Sequence, residues 1–241
     1  MPARTSQKTA RTTVPVADRA SGRRRTRRTG GSDVVFETLR ERIASHALPP
    51  GSKLRENELA REFGVSRTRV REVFGALEQR GLIQRIPNRG AVVSRLDLKD
   101  ASDIYDVREY LEALCVHRAT QKAPDGAWDD LLARIEPLLG HEFDDEEFDI
   151  YLSYLDELRA RMLRYADNSF LASMLGLIDD KSHVIARRVI ILPGRSATAL
   201  KLHKEMIEAM KRRDPEEAER LRREILSSAR TMLEKYKRFV L

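Results

Sequence analysis

Two glycines, Gly64 and Gly81, punctuate the stretch 56–93 in a way that leaves few folds open. Residues 56–63 (ENELAREF) carry Leu59, Ala60 and Phe63 at helical spacing, and Gly64 follows where a helix ends in a left-handed residue. Val65 anchors the turn. Ser66 stands as the cap of a second helix to about Arg80, and Gly81 ends that one. Helix, short glycine-containing turn, helix is the helix-turn-helix arrangement. Residues 82–86 and 91–95 then read as two short strands joined by Pro87-Asn88-Arg89-Gly90. A hairpin directly after a helix-turn-helix is a wing. An earlier helix is expected from Ser32 or Asp33, either of which could cap it, to about Ala47, with Val35, Leu39 and Ile43 on one face. Pro49-Pro50-Gly51 breaks it.

The second helix has two unlike faces. Val70, Val73, Phe74 and Leu77 share one and should pack inward; Arg67, Thr68 and Arg71 lie on or beside the other, near its N-terminus. A recognition helix presents its N-terminal residues to the major groove, where Arg donates two hydrogen bonds to a guanine edge. The plain alternative is three solvated side chains on an ordinary amphipathic helix. The wing tilts the choice: Gly90 allows close backbone approach and Arg89 suits a narrow minor groove.

Charge agrees. Residues 1–32 hold nine Lys/Arg against one Asp, 33–96 twelve Lys/Arg against eight acids, and 97–241 only 24 against 29. A basic N-terminal third joined to a mildly acidic body suggests a polyanion-binding end and a separate sensing or assembling end. The tail 1–32, rich in Ser, Thr, Arg and Gly, is expected to be disordered. It is either solvated bulk or an arm that strengthens DNA binding through phosphates. One cysteine excludes an internal disulfide framework and a cysteine-based zinc cluster, and no apolar run reaches the length of a membrane span.

The run 48–93, LPPGSKLRENELAREFGVSRTRVREVFGALEQRGLIQRIPNRGAVV with its last residues, resembles the GntR family of bacterial winged-helix transcription regulators. The resemblance implies that Arg67, Thr68 and Arg71, with Ser66 at the cap, Asn57 on the preceding helix, and Arg89 and Gly90 in the wing, contact operator DNA. Relatives often carry proline where this chain has Arg69, which is free to add a phosphate contact.

After Asp97 strand signals disappear. Six helices are expected, at about 100–122, 126–140, 143–166, 168–192, 196–212 and 215–239. Asn168 is a candidate cap, Pro193-Gly194 a stop, Ser196 a start. Asp214-Pro215-Glu216-Glu217 combines a cap, Pro at the first helical position and an acid at the third. On the first helix Ile104, Val107, Leu111, Leu114 and Cys115 read as a core stripe, with Cys115 a small buried hydrophobe and not a nucleophile. The acids from Glu142 to Asp149 suit a solvated helix start. The expected fold is therefore mainly α: a winged helix-turn-helix domain over 33–96, then an all-α helical bundle over 97–241.

The pieces DVREYLEALCVHRA (106–119), the Ala166-Asp167-Asn168 step and LHKEMIEAMKRRDPEEAERL (202–221) resemble, more loosely, the FCD ligand-sensing domain of the FadR subfamily. That resemblance implies a homodimer that binds a small carboxylate or related metabolite among these helices. Many relatives also hold a divalent metal there, through an Asp and a His one helical turn apart and two further His about 22 residues apart. Here those positions fall on Leu155, Arg159, His203 and Ile225. Leu, Arg and Ile offer no donor to an ion, and a shift of one residue brings in Asp156 without a histidine partner. No metal and no other cofactor is expected.

Arg159 then puts a fixed positive charge where relatives place the cation, and a guanidinium can grip a carboxylate bidentately. Arg159, Arg108, His203 and Arg187 (or Arg188) are the candidate effector-binding residues. Alternatively Arg159 faces solvent or pairs with a structural acid such as Glu112. His183 reads as an interhelical histidine, and His46, His117 and His141 show no ligand spacing. No nucleophile–base constellation or phosphate-cradling loop is visible, so no enzymatic activity is expected. The sequence thus points to a cytoplasmic regulator, most simply a repressor, with double-stranded operator DNA, a small anionic effector and a second copy of itself as partners, and no membrane. The competing reading is a ligand-blind DNA-binding dimer whose helical body only dimerises.

Overall fold

A computed structural model describes residues 31–87, 89–140 and 143–240. The expected tail therefore lies outside the described residues up to Gly30, as do Asn88 of the wing, His141 and Glu142. The chain runs α1 (Ser32–Ala44), β1 (Lys53–Leu54), α2 (Glu56–Glu62), α3 (Arg67–Gln79), β2 (Ile83–Ile86) and β3 (Gly90–Val93). The helical body follows as α4 (Leu98–Lys122), α5 (Asp129–Ile135), α6 (Asp145–Ala166), α7 (Ser169–Ile190), α8 (Arg195–Lys211), α9 (Pro215–Lys235) and α10 (Lys237–Val240).

Local chemistry accounts for most of these ends. Gly64 and Gly81 take positive φ, 62° and 71°, after α2 and α3. Ser66 Oγ accepts from Arg69 N, and Asn168, Asp214 and Asp97 cap α7, α9 and α4 in the same way. Asp144 and Glu147 close a reciprocal capping box at α6.

Several expectations need correction. Neither Ser32 nor Asp33 caps α1: the cap position is Gly31, which makes no side-chain hydrogen bond. Ser196 does not start α8, which begins at Arg195 after Gly194. The helix expected over 126–140 shortens to α5 followed by a single 3-10 turn, because Pro137 cannot donate within an α-helix. The last helix breaks at Tyr236, leaving α10 separate.

The wing is a three-stranded antiparallel sheet in the order β1-β3-β2, with Ile83 opposite Val93, Ile86 opposite Gly90 and Lys53 opposite Val92. Strand β1 has no periodic signal in two residues. It forms because the turn at Gly51 (φ 86°) lays the chain along β3, where Gly51 N bonds Val93 O and Val93 N bonds Ser52 O.

The expected stripe on α4 is half wrong. Ile104 and Cys115 are buried, but Val107 and Leu114 are 46% and 45% exposed. The buried face instead runs through Ala101, Ile104, Tyr105, Arg108, Glu112, Cys115, Val116 and Ala119. This helix carries apolar residues on two faces, and only one is covered within the chain.

Two apolar cores result. One gathers Val116, Trp128, Leu131, Tyr151, Tyr154, Leu158, Met206 and Ile207 inside the helical body. The other begins in the winged part with Leu39, Val70, Phe74, Leu77 and Val93 and continues into Ile104, Tyr105, Val184, Ile185 and Val189. Helix α1 therefore lies directly on α7, and the winged part shares a core with the body.

Candidate nucleic-acid interface and an arginine-lined cavity

Ser66, Arg67, Thr68, Arg69 and Arg71 are all exposed at the N-terminal end of α3, as is Asn57 on α2, while Val70, Val73, Phe74 and Leu77 face inward. The reading face is thus free of the core, as a groove-reading helix requires. It is not free of intramolecular charge. Arg71 Nε donates to both carboxylate oxygens of Glu56, at 2.9 and 2.8 Å, and Arg67 Nη2 lies 3.7 Å from Glu56 Oε2. The hydrogen bond from Arg71 draws the Glu56 pKa down. Arg69 lies beside the start of α1: a Cβ built on Gly31 would sit 2.9 Å from its Nη1. In the wing Arg89 and Gly90 are exposed, and Gly90 has φ 81° with open space where a Cβ would be. Its glycine is fixed by backbone conformation.

A cavity of about 270 Å³ opens in the helical body where α1 packs on it. Arg108, Arg159, Arg187 and His203, the four residues singled out in the sequence, all line it. Arg188 does not. It is buried on the far side of α7 and donates to Ile43 O at 3.1 Å. Further polar residues line the cavity without having been foreseen, among them Arg195, Arg222, Tyr105, Ser182, Asp179 and Arg40 of α1. Arg222 lies three residues before Ile225, one turn back on the same helix face. That spacing was the available signal.

The inner end is electrostatically lopsided. Arg108 Nε donates to Glu112 Oε1 at 2.7 Å, and Arg222 Nε donates to Glu112 Oε2 at 2.9 Å. Burial alone would raise the Glu112 pKa, but Arg108, Arg222 and Arg159 outweigh it and hold the carboxyl far below its usual range. Arg195 is buried and donates to Ser228 Oγ and Ile225 O; it makes no ion pair among the described residues. Arg108 and Arg222 therefore share one carboxylate, with Arg159 lying 3.9 Å from it, and Arg195 adds a further positive charge. Arg108 Nη1, Arg195 Nε and Ser182 Oγ are buried without a hydrogen-bond partner. All three can donate, and buried donors left unmade are costly. Leu152, Leu155, Leu158, Met162 and Ile225 supply apolar lining.

His203 is buried, and its pKa is pushed down to about 3, chiefly by burial and then by Arg222 and Arg195. Its Nδ1 lies 2.8 Å from Ala199 O and 3.0 Å from Tyr151 Oη, while Nε2 faces Arg222 Nη1 at 3.4 Å. With Nδ1 donating to the carbonyl, the Nε2 lone pair points at a guanidinium. This does not fit a resident metal. The other three positions hold Leu155, Arg159 and Ile225, and no group of three His, Cys, Asp or Glu suited to an ion occurs among the described residues.

Arg159 is not solvent-facing. Its Nη2 lies 2.5 Å from Asp179 Oδ1, and its Nη1 lies 3.9 Å from Glu112 Oε1. Arg187 Nε pairs with Glu41 of α1 at 2.6 Å, and His183 Nε2 lies 3.5 Å from the same carboxylate. Cys115 is buried, and burial pushes its thiol up to about 12, so it stays protonated and inert.

A winged helix-turn-helix with an exposed basic reading face, packed on a helical body, defines a DNA-binding regulator. Residues 32–93 match the bacterial regulatory proteins of the gntR family, and residues 103–228 match the FCD domain. The chain belongs to the GntR family of transcription regulators, in the branch that carries an FCD domain. It is 28% identical over 188 residues to the uncharacterized HTH-type transcriptional regulator YdhC of Bacillus subtilis, covering 76% of this chain and 82% of that protein. It is 43% identical over 88 residues to the gluconate operon transcriptional repressor of the same organism, a match spanning 36% of this chain and 35% of that protein. Among solved structures, E. coli McbR/YncC superposes with a TM-score of 0.72 at 20% identity, over 86% of this chain and 99% of that one. A putative GntR regulator from Rhodococcus sp. RHA1 gives 0.65 at 19% identity, over 85% and 98%. These families and relatives are transcription regulators, not enzymes. No helix among the described residues is long and apolar enough to cross a membrane.

Proposed function

We propose that this chain is a homodimeric repressor of transcription that binds operator DNA in the bacterial cytoplasm and is controlled, without a metal, by a small carboxylate-bearing metabolite. The observation that carries the effector reading is the inner end of the cavity. Two guanidiniums share one carboxylate there, Arg195 adds a positive charge that has no ion pair among the described residues, and unpartnered donors sit beside an apolar lining. A carboxylate on a short apolar body offsets the charge, accepts from the donors and fills the rest. Arg67, Thr68, Arg69 and Arg71, with Asn57, Ser66, Arg89 and Gly90, form the DNA-contacting surface. Repression follows the gluconate operon repressor, which the chain resembles over part of its length.

The dimer reading rests on an uncovered apolar surface. Helices α4 and α7 run antiparallel side by side. Lys122 Nζ lies 2.8 Å from Asp167 Oδ2 at one end, and Lys181 Nζ lies 4.0 Å from Asp100 Oδ2 at the other. Helix α4 exposes Val107, Tyr110 and Leu114, and α7 exposes Phe170, Met174 and Leu177. Two such stripes on neighbouring antiparallel helices suit a twofold, self-complementary contact. Twofold symmetry would place two reading helices on half-sites one turn of DNA apart, or a multiple of it.

The test starts from random double-stranded DNA, from which the full-length protein should select a roughly palindromic site. A set of small mono- and dicarboxylates is then titrated into that complex in the presence of a chelator. Release of DNA by one of them supports the whole reading. Selection of DNA with no response to any carboxylate favours a ligand-blind dimer.

A further inference from the structure

Helix α7 forms one wall of the cavity, to which Arg40 of α1 also contributes, and Asp179 on that helix reaches arginines of both the body and α1. Asp179 Oδ1 holds Arg159 of the cavity at 2.5 Å, while Asp179 Oδ2 lies 3.4 Å from Arg40 Nη2 on α1. We propose that Asp179 is the relay by which occupancy of the cavity is read by the DNA-binding domain: an anion that takes Arg159 displaces Asp179, which then turns to Arg40. The inference rests on the effector reading above and says how that same site acts at a distance.

The argument is one of competition. Arg159 is engaged by a carboxylate of the protein itself. The Arg159 fork already has Asp179 at 2.5 Å and Glu112 at 3.9 Å, so a further anion on it competes with these carboxylates. Two ionised carboxylates crowded onto it repel each other. An incoming anion that also gains the donors of Arg108, Arg195 and Ser182 has more partners than Asp179 and wins the fork. Asp179 is about one-third exposed, so its side chain has room to move.

Its other partner is already in place. Arg40 Nε is fixed by Asp180 at 2.6 Å, and Asp180 also holds Arg80, at the end of reading helix α3, at 3.0 Å. Two adjacent acids of α7 thus tie both α1 and α3 to the body. Asp180 makes the standing contact, and Asp179 divides its charge between the two sides. Because α1 and α7 share one core, a change in this ion-pair set re-seats α1 as a body. Packed interfaces tend to switch between arrangements instead of deforming smoothly. The pair of Arg187 with Glu41 runs parallel to it, again from a cavity arginine to α1.

The test needs no identified effector. Among the described residues Asp179 is the acid that pairs with both Arg159 and Arg40, so removing the Arg159 charge should mimic capture by an anion, and only while Asp179 is present. The full-length protein, Arg159→Met, Asp179→Asn and the double variant are compared for affinity to DNA selected by the wild type. Melting curves confirm that each is folded, and Arg159→Gln replaces the Met variant should that one melt early. Arg159→Met is expected to change affinity by at least about fivefold, the lower end of the range usual for coupled sites. In the Asp179→Asn background the change should shrink to within error, and Arg159→Lys should restore most of it in the wild-type background. An equal effect in both backgrounds, or none in either, overturns the relay. Failure of the effector reading looks different: no carboxylate binds, yet the Arg159 effect still depends on Asp179.

Discussion

Arg222 Nη1 lies 3.4 Å from His203 Nε2, on the side of the imidazole from which a histidine would hold a metal. Arg222 also donates to Glu112, which Arg108 grips from the other side. A guanidinium thus takes the position that a cation would need, and the nearby carboxylate is already committed.

The first prediction follows directly. Melting of the purified protein should be unmoved by a strong chelator and by added zinc, nickel or manganese. A specific ligand would raise the melting temperature by mass action. A chelator-induced drop would show that a metal is held by donors other than those assigned.

The second concerns pH. His203 has a folded pKa of about 3, against the ordinary value near 6.5 in the unfolded chain. Between pH 6.5 and 4.5 the unfolded state binds a proton that the folded state refuses, so stability falls as pH falls. The slope contributed by this one group is up to about 1.4 kcal/mol per pH unit. Below pH 4.5 Glu112 adds loss in the same direction, since its folded pKa is depressed. Denaturant melts across pH 4.5–7 should show the slope, and His203→Gln should reduce it by about one proton. An unchanged slope in that variant would mean that another group carries it.

The third concerns the reading face. Glu56 occupies Arg71 and approaches Arg67 when no DNA is present. Removing that negative charge with Glu56→Gln should tighten DNA binding several-fold at low salt, the gain shrinking as salt screens it. Arg67→Ala and Arg71→Ala should each weaken the selected site by about tenfold or more and relax its sequence preference at one position. Anisotropy titrations read both. Affinity that survives the arginine changes would move the reading face elsewhere.

The fourth concerns assembly. Leu177 is 86% exposed on α7, so Leu177→Glu should leave the fold intact and convert a dimer to a monomer by light scattering. DNA affinity should fall with it. A dimer that persists would place the twofold contact on another surface.

The winged part and several helix ends of the body were legible because their signals are local. Gly64, Gly81, Ser66 and the Asp214-Pro215 step act on their own backbone, and each ends or starts a helix as its chemistry requires. The exposed side of α3 was legible too, since Val70, Val73, Phe74 and Leu77 leave only one side of that helix to the solvent. The stripe on α4 failed for a related reason. Helical spacing marks Val107 and Leu114 as apolar and aligned, but says nothing about which neighbour covers them. Arg222 stood one turn from Ile225 and was open to the same reading, whereas Arg195 and Ser182 were missed because a cavity wall is a tertiary fact: they come from α8 and α7 and share no sequence spacing. Asp179 was likewise invisible, as its meaning lies in joining α6 to α1.

The measurement that tests the central claim most directly is thermal stability of the protein in chelator against a panel of small carboxylates, alongside Ser182→Ala. Ser182 Oγ is a buried donor without a partner, so that variant should melt at or above the wild-type temperature. At least one carboxylate should stabilise the wild type, and the stabilisation should be clearly reduced in the variant. Stabilisation that appears only when metal is restored, or that is identical in Ser182→Ala and in Arg159→Met, would contradict a metal-free, arginine-lined effector site.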